Sequence, residues 1–386
     1  MRTAWTDARL AAHAAPTPLP VVPLPLARAA GVLAAPLRAA TPVPAFDCSA
    51  MDGYAVGSLA GRWRVVGRVL AGPADPGGVG PGEAVEVATG APVPAGTVAV
   101  LPVELTAVEA DELTALAPPE AGRHVRRVGE DLPLGLDLLP AGTPVTPTVV
   151  GLAAAGGLDA VQVRPPPRVA ALLTGDELVH AGGSGGGLVR DAVGPALPGW
   201  VRALGGEPLP ACQVPDTDAA TLVTAIRRAG ADVVLTSGGA GAGPADRVAA
   251  ALHDLGARVV VDGVDCRPGH PQRLAELPDG RWLVALPGNP YAALVAALTL
   301  LGPLLRGLTG RPLPDLPLGV LDGAAHVTRS AGPTRILPVR RRPDGTLEPL
   351  GRDRPGNLWG AALADAFAVL PAGWRGEPVP LLAPPA

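Results

Sequence analysis

The chain has no lysine; all 31 of its basic residues are arginine. A site that needs a cation must therefore use guanidinium or imidazole. Cysteine is scarce as well. Cys48, Cys212 and Cys266 are far apart, odd in number and without a Cys-x-x-Cys pair. This excludes a structural zinc site and a disulfide scaffold, and it fits a reducing cytoplasm. An excess of positive charge is missing: the formal net charge is −4, which argues against nucleic-acid binding. The opening residues, Met-Arg-Thr-Ala-Trp-Thr-Asp, hold no apolar signal region. No apolar run reaches the roughly 18 residues of a membrane span. Leu283 to Leu286 and Tyr291 to Leu305 are separated by Pro-Gly-Asn-Pro. No membrane partner is expected.

What is present describes a globular chain. Of 386 residues, 48% are hydrophobic and 17% charged, and this length predicts two to four domains. The 51 glycines and 48 prolines, together with the arginine bias, read as a GC-rich codon signature. The first 44 residues hold weak helical patches cut by prolines. Short strands with Gly/Pro turns follow at Trp63 to Leu70, Ala84 to Ala88 and Val98 to Val103. A second β stretch is expected from Glu120 to Val163, including Leu138 to Val149.

After Pro165-Pro166-Pro167 the pattern alternates. Strands are expected at Val169 to Leu173, Glu207 to Val214, Val233 to Thr236, Arg258 to Val261 and Trp282 to Leu286. Helices are expected at Leu197 to Leu204, Ala219 to Ala229, Asp246 to Leu255 and Tyr291 to Leu305. This is the signature of a mainly parallel sheet with helices on both faces. Beyond Pro312 the pattern returns to β at Ala325 to Val327, Arg335 to Arg340, Phe367 to Leu370 and Glu377 to Leu382. The fold class is therefore α/β plus β.

The most informative stretch runs from Val233 to Asp246. A β-branched strand ends in Ser237, Gly238, Gly239, Ala240, Gly241, Ala242 and Gly243, and Asp246 then opens a helix. A glycine-rich turn before a helix exposes N–H groups to an anion, so phosphate or another oxyanion is the expected ligand. A simple glycine-rich connection is the alternative. It is neither the GxGxxG fingerprint nor a P-loop. Three further turns sit at strand ends, where ligands of such sheets bind. Thr174-Gly175-Asp176-Glu177-Leu178 offers adjacent carboxylates for a hard cation or an activated water, or merely a capped turn. Leu286-Pro287-Gly288-Asn289-Pro290 makes a tight turn that starts a helix, with or without a ligand. In Pro215-Asp216-Thr217-Asp218, Asp218 is the expected N-cap, which leaves Asp216 to face a site.

Two upstream segments complete a set. They are Phe46 to Val56, which contains Met51-Asp52-Gly53-Tyr54, and Thr89 to Gly96. With Gly129-Glu130-Asp131 and the turns above, in this order, they resemble the molybdopterin molybdenumtransferases (MoeA), which include the E domain of gephyrin. The resemblance runs from about residue 25 to the end and weakens beyond Pro312. It implies an elongated homodimer whose chain divides as follows. Residues 1–53 with 124–164 form a discontinuous linker domain, and 54–123 an inserted small β domain. Residues 165–314 form an α/β molybdopterin-binding domain like that of MogA, and 315–386 a C-terminal β domain.

The activity it implies is hydrolysis of the pyrophosphate link of adenylylated molybdopterin with Mg²⁺, insertion of molybdenum from molybdate and release of AMP. A molybdopterin adenylyltransferase would act upstream. The resemblance assigns Glu177 and Asp246 to metal and catalysis and adds Asp216 and Asp52 as further acids. It assigns substrate binding to Thr89, Asp131, Ser237, Gly238, Gly239, Gly241, Gly243, Arg267, His270, Pro287, Gly288 and Asn289. The chain also departs from the family. Arg267-Pro268-Gly269-His270-Pro271 stands where Lys-Pro-Gly-Lys-Pro is usual, and Gly263 stands in place of another lysine. Val98, Gly241, Val193 and Pro338 replace further polar positions. A diverged paralogue that binds pterin or nucleotide without turnover is therefore the alternative, and a scaffold is a third reading.

Overall fold

The structure is a computed structural model and describes residues 2–73, 75–238, 247–322, 332–351 and 353–385. The chain divides into two compact units. One comprises Met1–Val22, Ala30–Ala34 and Val163–Ala386; the other comprises Pro23–Ala29 and Ala35–Gln162.

The first unit holds a seven-stranded sheet. Its strands are β1 (Arg168–Thr174), β2 (Glu207–Pro208), β3 (Cys212–Val214), β4 (Val233–Ser237), β5 (Arg258–Asp262), β6 (Arg273–Glu276) and β7 (Trp282–Leu286). The spatial order is β2-β1-β4-β7-β6-β5, with β3 also on β1. β2, β3 and β4 run parallel to β1, and β7 runs parallel to β4. β6 and β5 form an antiparallel edge. The sheet is thus mainly parallel, as expected. β6 escaped the sequence reading because four residues are too short for a period to show.

The central strands are unbroken apolar runs because both faces are covered. On one face, Val169, Leu173, Leu235 and Val284 pack with Trp200, Tyr291 and Leu294, and with Trp5, Ala8 and Ala12 of the N-terminal helix Trp5–Ala14. On the other, Leu172, Val234 and Leu283 pack with Ile226 and Leu252 of two amphipathic helices, Ala219–Arg228 and Arg247–Asp254. Asp218 caps the first of these as expected, its carboxylate accepting the Thr221 N–H at 2.7 Å.

The helix Pro290–Leu308 corrects one expectation. Its 19 residues are long and apolar enough, by length and composition, to cross a membrane. A strict run count missed this because Thr299, Gly302, Pro303 and Arg306 interrupt it. The helix is the buried centre of this unit, with 94% of its most apolar window inside the fold. A π-helical stretch, Ala297–Leu301, lies at its middle.

A second sheet in the same unit takes Cys266–Arg267, Thr334–Arg341, Ala366–Leu370, Val379–Leu382 and Leu318–Gly319 in that spatial order, with Leu347–Pro349 beside Thr334–Arg341. The expected strand Ala325 to Val327 lies outside the described residues.

The other unit carries a six-stranded sheet in the spatial order Ala99–Pro102, Gly53–Val56, Glu83–Val87, Arg62–Val69, Glu112–Ala115 and Thr106–Glu109. Here the second β stretch needs correction. Val125–Arg126, Asp137–Leu139 and Ala160–Arg164 are extended, but between the last two Pro147–Ala155 is a helix. The cause is local: the Thr146 hydroxyl accepts the Val149 N–H, and Pro147 at the first helical position loses no hydrogen bond.

Candidate functional site

The site is built by register. Leu173 of β1 pairs with Ser237 of β4, and Ser237 pairs with Leu286 of β7. Three parallel strands therefore end at one level, and the turns after them open side by side. The Thr174 hydroxyl donates to the Ser237 carbonyl at 3.0 Å. Gly238 follows with φ +97°, and an added Cβ would stand 2.6 Å from the Thr174 carbonyl oxygen. Only glycine fits there. Gly238 donates its N–H to the Leu286 carbonyl at 3.3 Å, so that N–H is not offered to a ligand. The N–H groups of Gly288 and Asn289 have no acceptor among the described residues. They stand where the long helix begins, and there peptide dipoles favour an anion.

The acids divide by their partners. Asp216 is not left to face a site: its carboxylate forms an ion pair with Arg247. The Arg247 guanidinium is held above its ordinary pKa, first by that hydrogen bond and then by the charges of Asp216, Asp176 and Asp218. Asp176 accepts the Asp216 N–H at 3.0 Å. Glu177 differs. Its carboxylate lies over Gly175, 2.9 Å from where a Cβ would stand, and it has no hydrogen bond or ion pair among the described residues. Those residues contain no cluster of three or more His, Cys, Asp or Glu that could hold a metal ion. Gly239, Gly241, Gly243 and Asp246 lie outside them.

Beside these turns is a cavity of about 390 Å³ lined by Arg2, Arg267, Gly269, His270, Pro287 and Asn289, among others. Its floor is rigid. Gln272, fully buried, donates Nε2 to the Gly269 carbonyl at 2.8 Å and to Cys266 Sγ at 3.3 Å. Burial pushes the Cys266 thiol up to about 12. Burial, and then the Arg2 guanidinium, push the His270 imidazole below its usual value, so it is neutral at pH 7. Arg2 and Arg267 have no carboxylate partner among the described residues. An excess of unpaired guanidinium in a cavity is a receptor for an oxyanion.

The remaining predicted residues lie in the other unit. Asp52 and Thr89 meet: Asp52 Oδ1 accepts the Thr89 N–H at 2.6 Å and its hydroxyl at 3.0 Å. These bonds hold the Asp52 carboxyl below the usual carboxylate range. Asp131 pairs with Arg126.

Two family patterns match the chain: the MoeA N-terminal region (domain I and II) over residues 4–157, and a probable molybdopterin binding domain over residues 170–307. A molybdopterin molybdenumtransferase of Nostoc is 34% identical over 362 residues, spanning 89% of this chain and 83% of that protein. The chain belongs to the molybdopterin molybdenumtransferase family. This is an enzyme family of molybdenum-cofactor biosynthesis. A member from Synechococcus elongatus is 34% identical over 94% of each chain. A solved molybdopterin biosynthesis MoeA protein from Pyrococcus horikoshii superposes with a TM-score of 0.78 at 27% identity over 99% of both chains. Another solved MoeA protein chain from Pyrococcus horikoshii gives 0.77 at 23%, over 99% of this chain and all of that one, a likeness of fold.

Against this molybdenumtransferase fold, two residues of the site were missed from sequence. Arg2 carried no signal beyond its charge. Gln272 is a polar residue buried in the fold, and its neighbours in the chain gave no sign of that burial.

Proposed function

We propose that this chain inserts molybdenum into molybdopterin, taking adenylylated molybdopterin and molybdate and releasing AMP. The observation that carries the reading is the level ending of β1, β4 and β7 beside an arginine-lined cavity. Two guanidiniums and N–H donors without acceptors among the described residues, at the end of the sheet that also carries the Glu177 turn, support this reading, since they suit phosphate and molybdate oxygens. Mg²⁺ fits the donor set, since it needs only one or two carboxylates plus phosphate oxygens and water. Glu177 supplies one such carboxylate, and Asp246 is the proposed second. When bound, the cation neutralises charge at the P–O–P link. Glu177 orients the attacking water and holds its proton. The Gly288 and Asn289 amides fix phosphate oxygens, and Arg267 binds the molybdate. Asp52, Thr89 and Asp131 enter as substrate contacts, and Asp216 acts by positioning Arg247. The working form is a cytoplasmic homodimer fed by a molybdopterin adenylyltransferase.

One observation favours the alternative, a diverged carrier or regulator: His270 adds no charge at neutral pH. The two readings separate in one assay. Incubating the chain with adenylylated molybdopterin, molybdate and Mg²⁺ should release AMP in step with molybdate. Tight binding of the adenylylated pterin with no AMP release would establish the carrier reading instead.

A further inference from the structure

The first residues of the chain do not trail away from the fold. Thr3 forms a parallel bridge with Val264. The Thr3 N–H donates to the Gly263 carbonyl at 3.0 Å, and the Asp265 N–H donates to the Thr3 carbonyl at 2.8 Å. These bonds hold Arg2 against the rim of the arginine-lined cavity. Gly263 lies against its stem. Its φ of +80° favours glycine, and an added Cβ would sit in ordinary van der Waals contact with Arg2 Cγ at 3.6 Å and the His270 carbonyl oxygen at 3.5 Å. Burial first, and then the Arg2 charge, holds the neighbouring His270 imidazole below its usual value.

We propose that Arg2 is a binding residue for the tetrahedral oxyanion, reaching across from the N-terminal segment to form a two-arginine clamp with Arg267. That the anion is molybdate rests on the function proposed above. The argument for the clamp is independent of it. A tetrahedral dianion needs two positive charges for neutrality, and the cavity wall supplies them from Arg2 and Arg267 while His270 stays neutral. Neither guanidinium is spent on a carboxylate among the described residues. Asp265 is the nearest acid along the chain, and it is exposed and does not line the cavity. Two separate arms of the chain therefore set the charge of the cavity. Tetrahedral oxyanions of lower charge should bind more weakly than dianions of the same size.

The test is calorimetric titration of molybdate into the full chain. Arg2→Ala should weaken binding on the order of tenfold or more, as loss of a charge-assisted pair does, with the melting temperature little changed. Arg2→Lys should recover part of the loss. Thr3→Pro keeps the charge but removes the N–H that anchors it, so it should weaken binding in the same direction. If Arg2→Ala binds molybdate like the unaltered chain while Arg267→Ala does not, the clamp is wrong. If Thr3→Pro binds unchanged, the anchoring is wrong. AMP release by the unaltered chain with Arg2-independent molybdate affinity would overturn this inference and leave the proposed function standing. Arg2-dependent affinity without AMP release would do the reverse.

Discussion

The two large sheets bury their strands differently, and the contrast shows where chemistry can sit. In the α/β sheet, β4 and β7 are buried at every position. Apart from Thr236 and Ser237 near the end of β4, their side chains are apolar, so the reactive groups gather at the strand ends. In the six-stranded sheet, Ala99–Pro102 is buried throughout, but Arg62–Val69 buries only Trp63 and Val69 and leaves Arg62, Arg64, Val66, Gly67 and Arg68 exposed to water. Acids near that sheet find local partners: Asp52 has Thr89, Asp131 has Arg126, and Asp47 has Arg127 and the Val128 N–H. At the α/β strand ends, Glu177 has none among the described residues. A carboxylate without a partner remains available to a cation or a water, whereas a committed one serves its turn.

This contrast can be broken experimentally. Glu177→Gln should cost roughly 10²–10⁴-fold in the rate of AMP release, with the fold intact by circular dichroism. Asp216→Asn should cost far less, since that acid acts through Arg247. Equal losses would erase the distinction between committed and available acids.

Gly238→Ala should destabilise by about 1–3 kcal/mol in urea unfolding, because its Cβ meets the Thr174 carbonyl at a strained φ. Gly61→Ala, with φ +86° but nothing within 4 Å, should lose less. A reversed ranking would show that strand-end crowding is unimportant.

The pH dependence of oxyanion affinity should be smaller, a few-fold. His270 titrates below its ordinary value, so it is neutral at pH 7 and gains charge only as the pH falls through that lowered value. Molybdate affinity should therefore rise on acidification, and the bound dianion should draw the imidazole pKa upward. His270→Gln should keep the neutral-pH affinity and lose the acid gain. A slope that persists in that variant would assign it elsewhere.

The smallest effect belongs to Asp52. Its carboxyl is lowered by the Thr89 hydrogen bonds, so its contribution is complete above the ordinary carboxylate pKa and fades as the pH falls through the lower folded value. Asp52→Asn should flatten the acid limb of a stability titration. An unchanged limb would mean that the Thr89 contact contributes nothing.

Much of this was legible in the sequence because the physics is local. Unbroken apolar runs such as Val233 to Thr236 report burial on both faces. Gly-rich and Pro-Gly-Asn turns report where strands stop. Thr146-Pro147 carried a helix start, yet the apolar residues around it read more easily as strand. The pairing of Asp216, expected to face a site, was not legible because Arg247 lies on the far side of a glycine-rich stretch and spacing does not reveal that contact. Arg2 was invisible for a similar reason. Nothing in Met-Arg-Thr-Ala tells which distant turn will pair with it, since parallel bridging between remote residues leaves no periodic trace.

The N-terminal helix has one more implication. Its buried side, Trp5, Ala8 and Ala12, is covered by residues near the other end of the domain, among them Leu301, Leu304 and Leu308. On that side Trp5, Ala8 and Ala12 stay uncovered until Pro290–Leu308 has been synthesised, whereas the Thr3 bridge waits only for Val264. Docking of the N-terminal helix is therefore tied to a segment far along the chain, and its strand-like start to an earlier one.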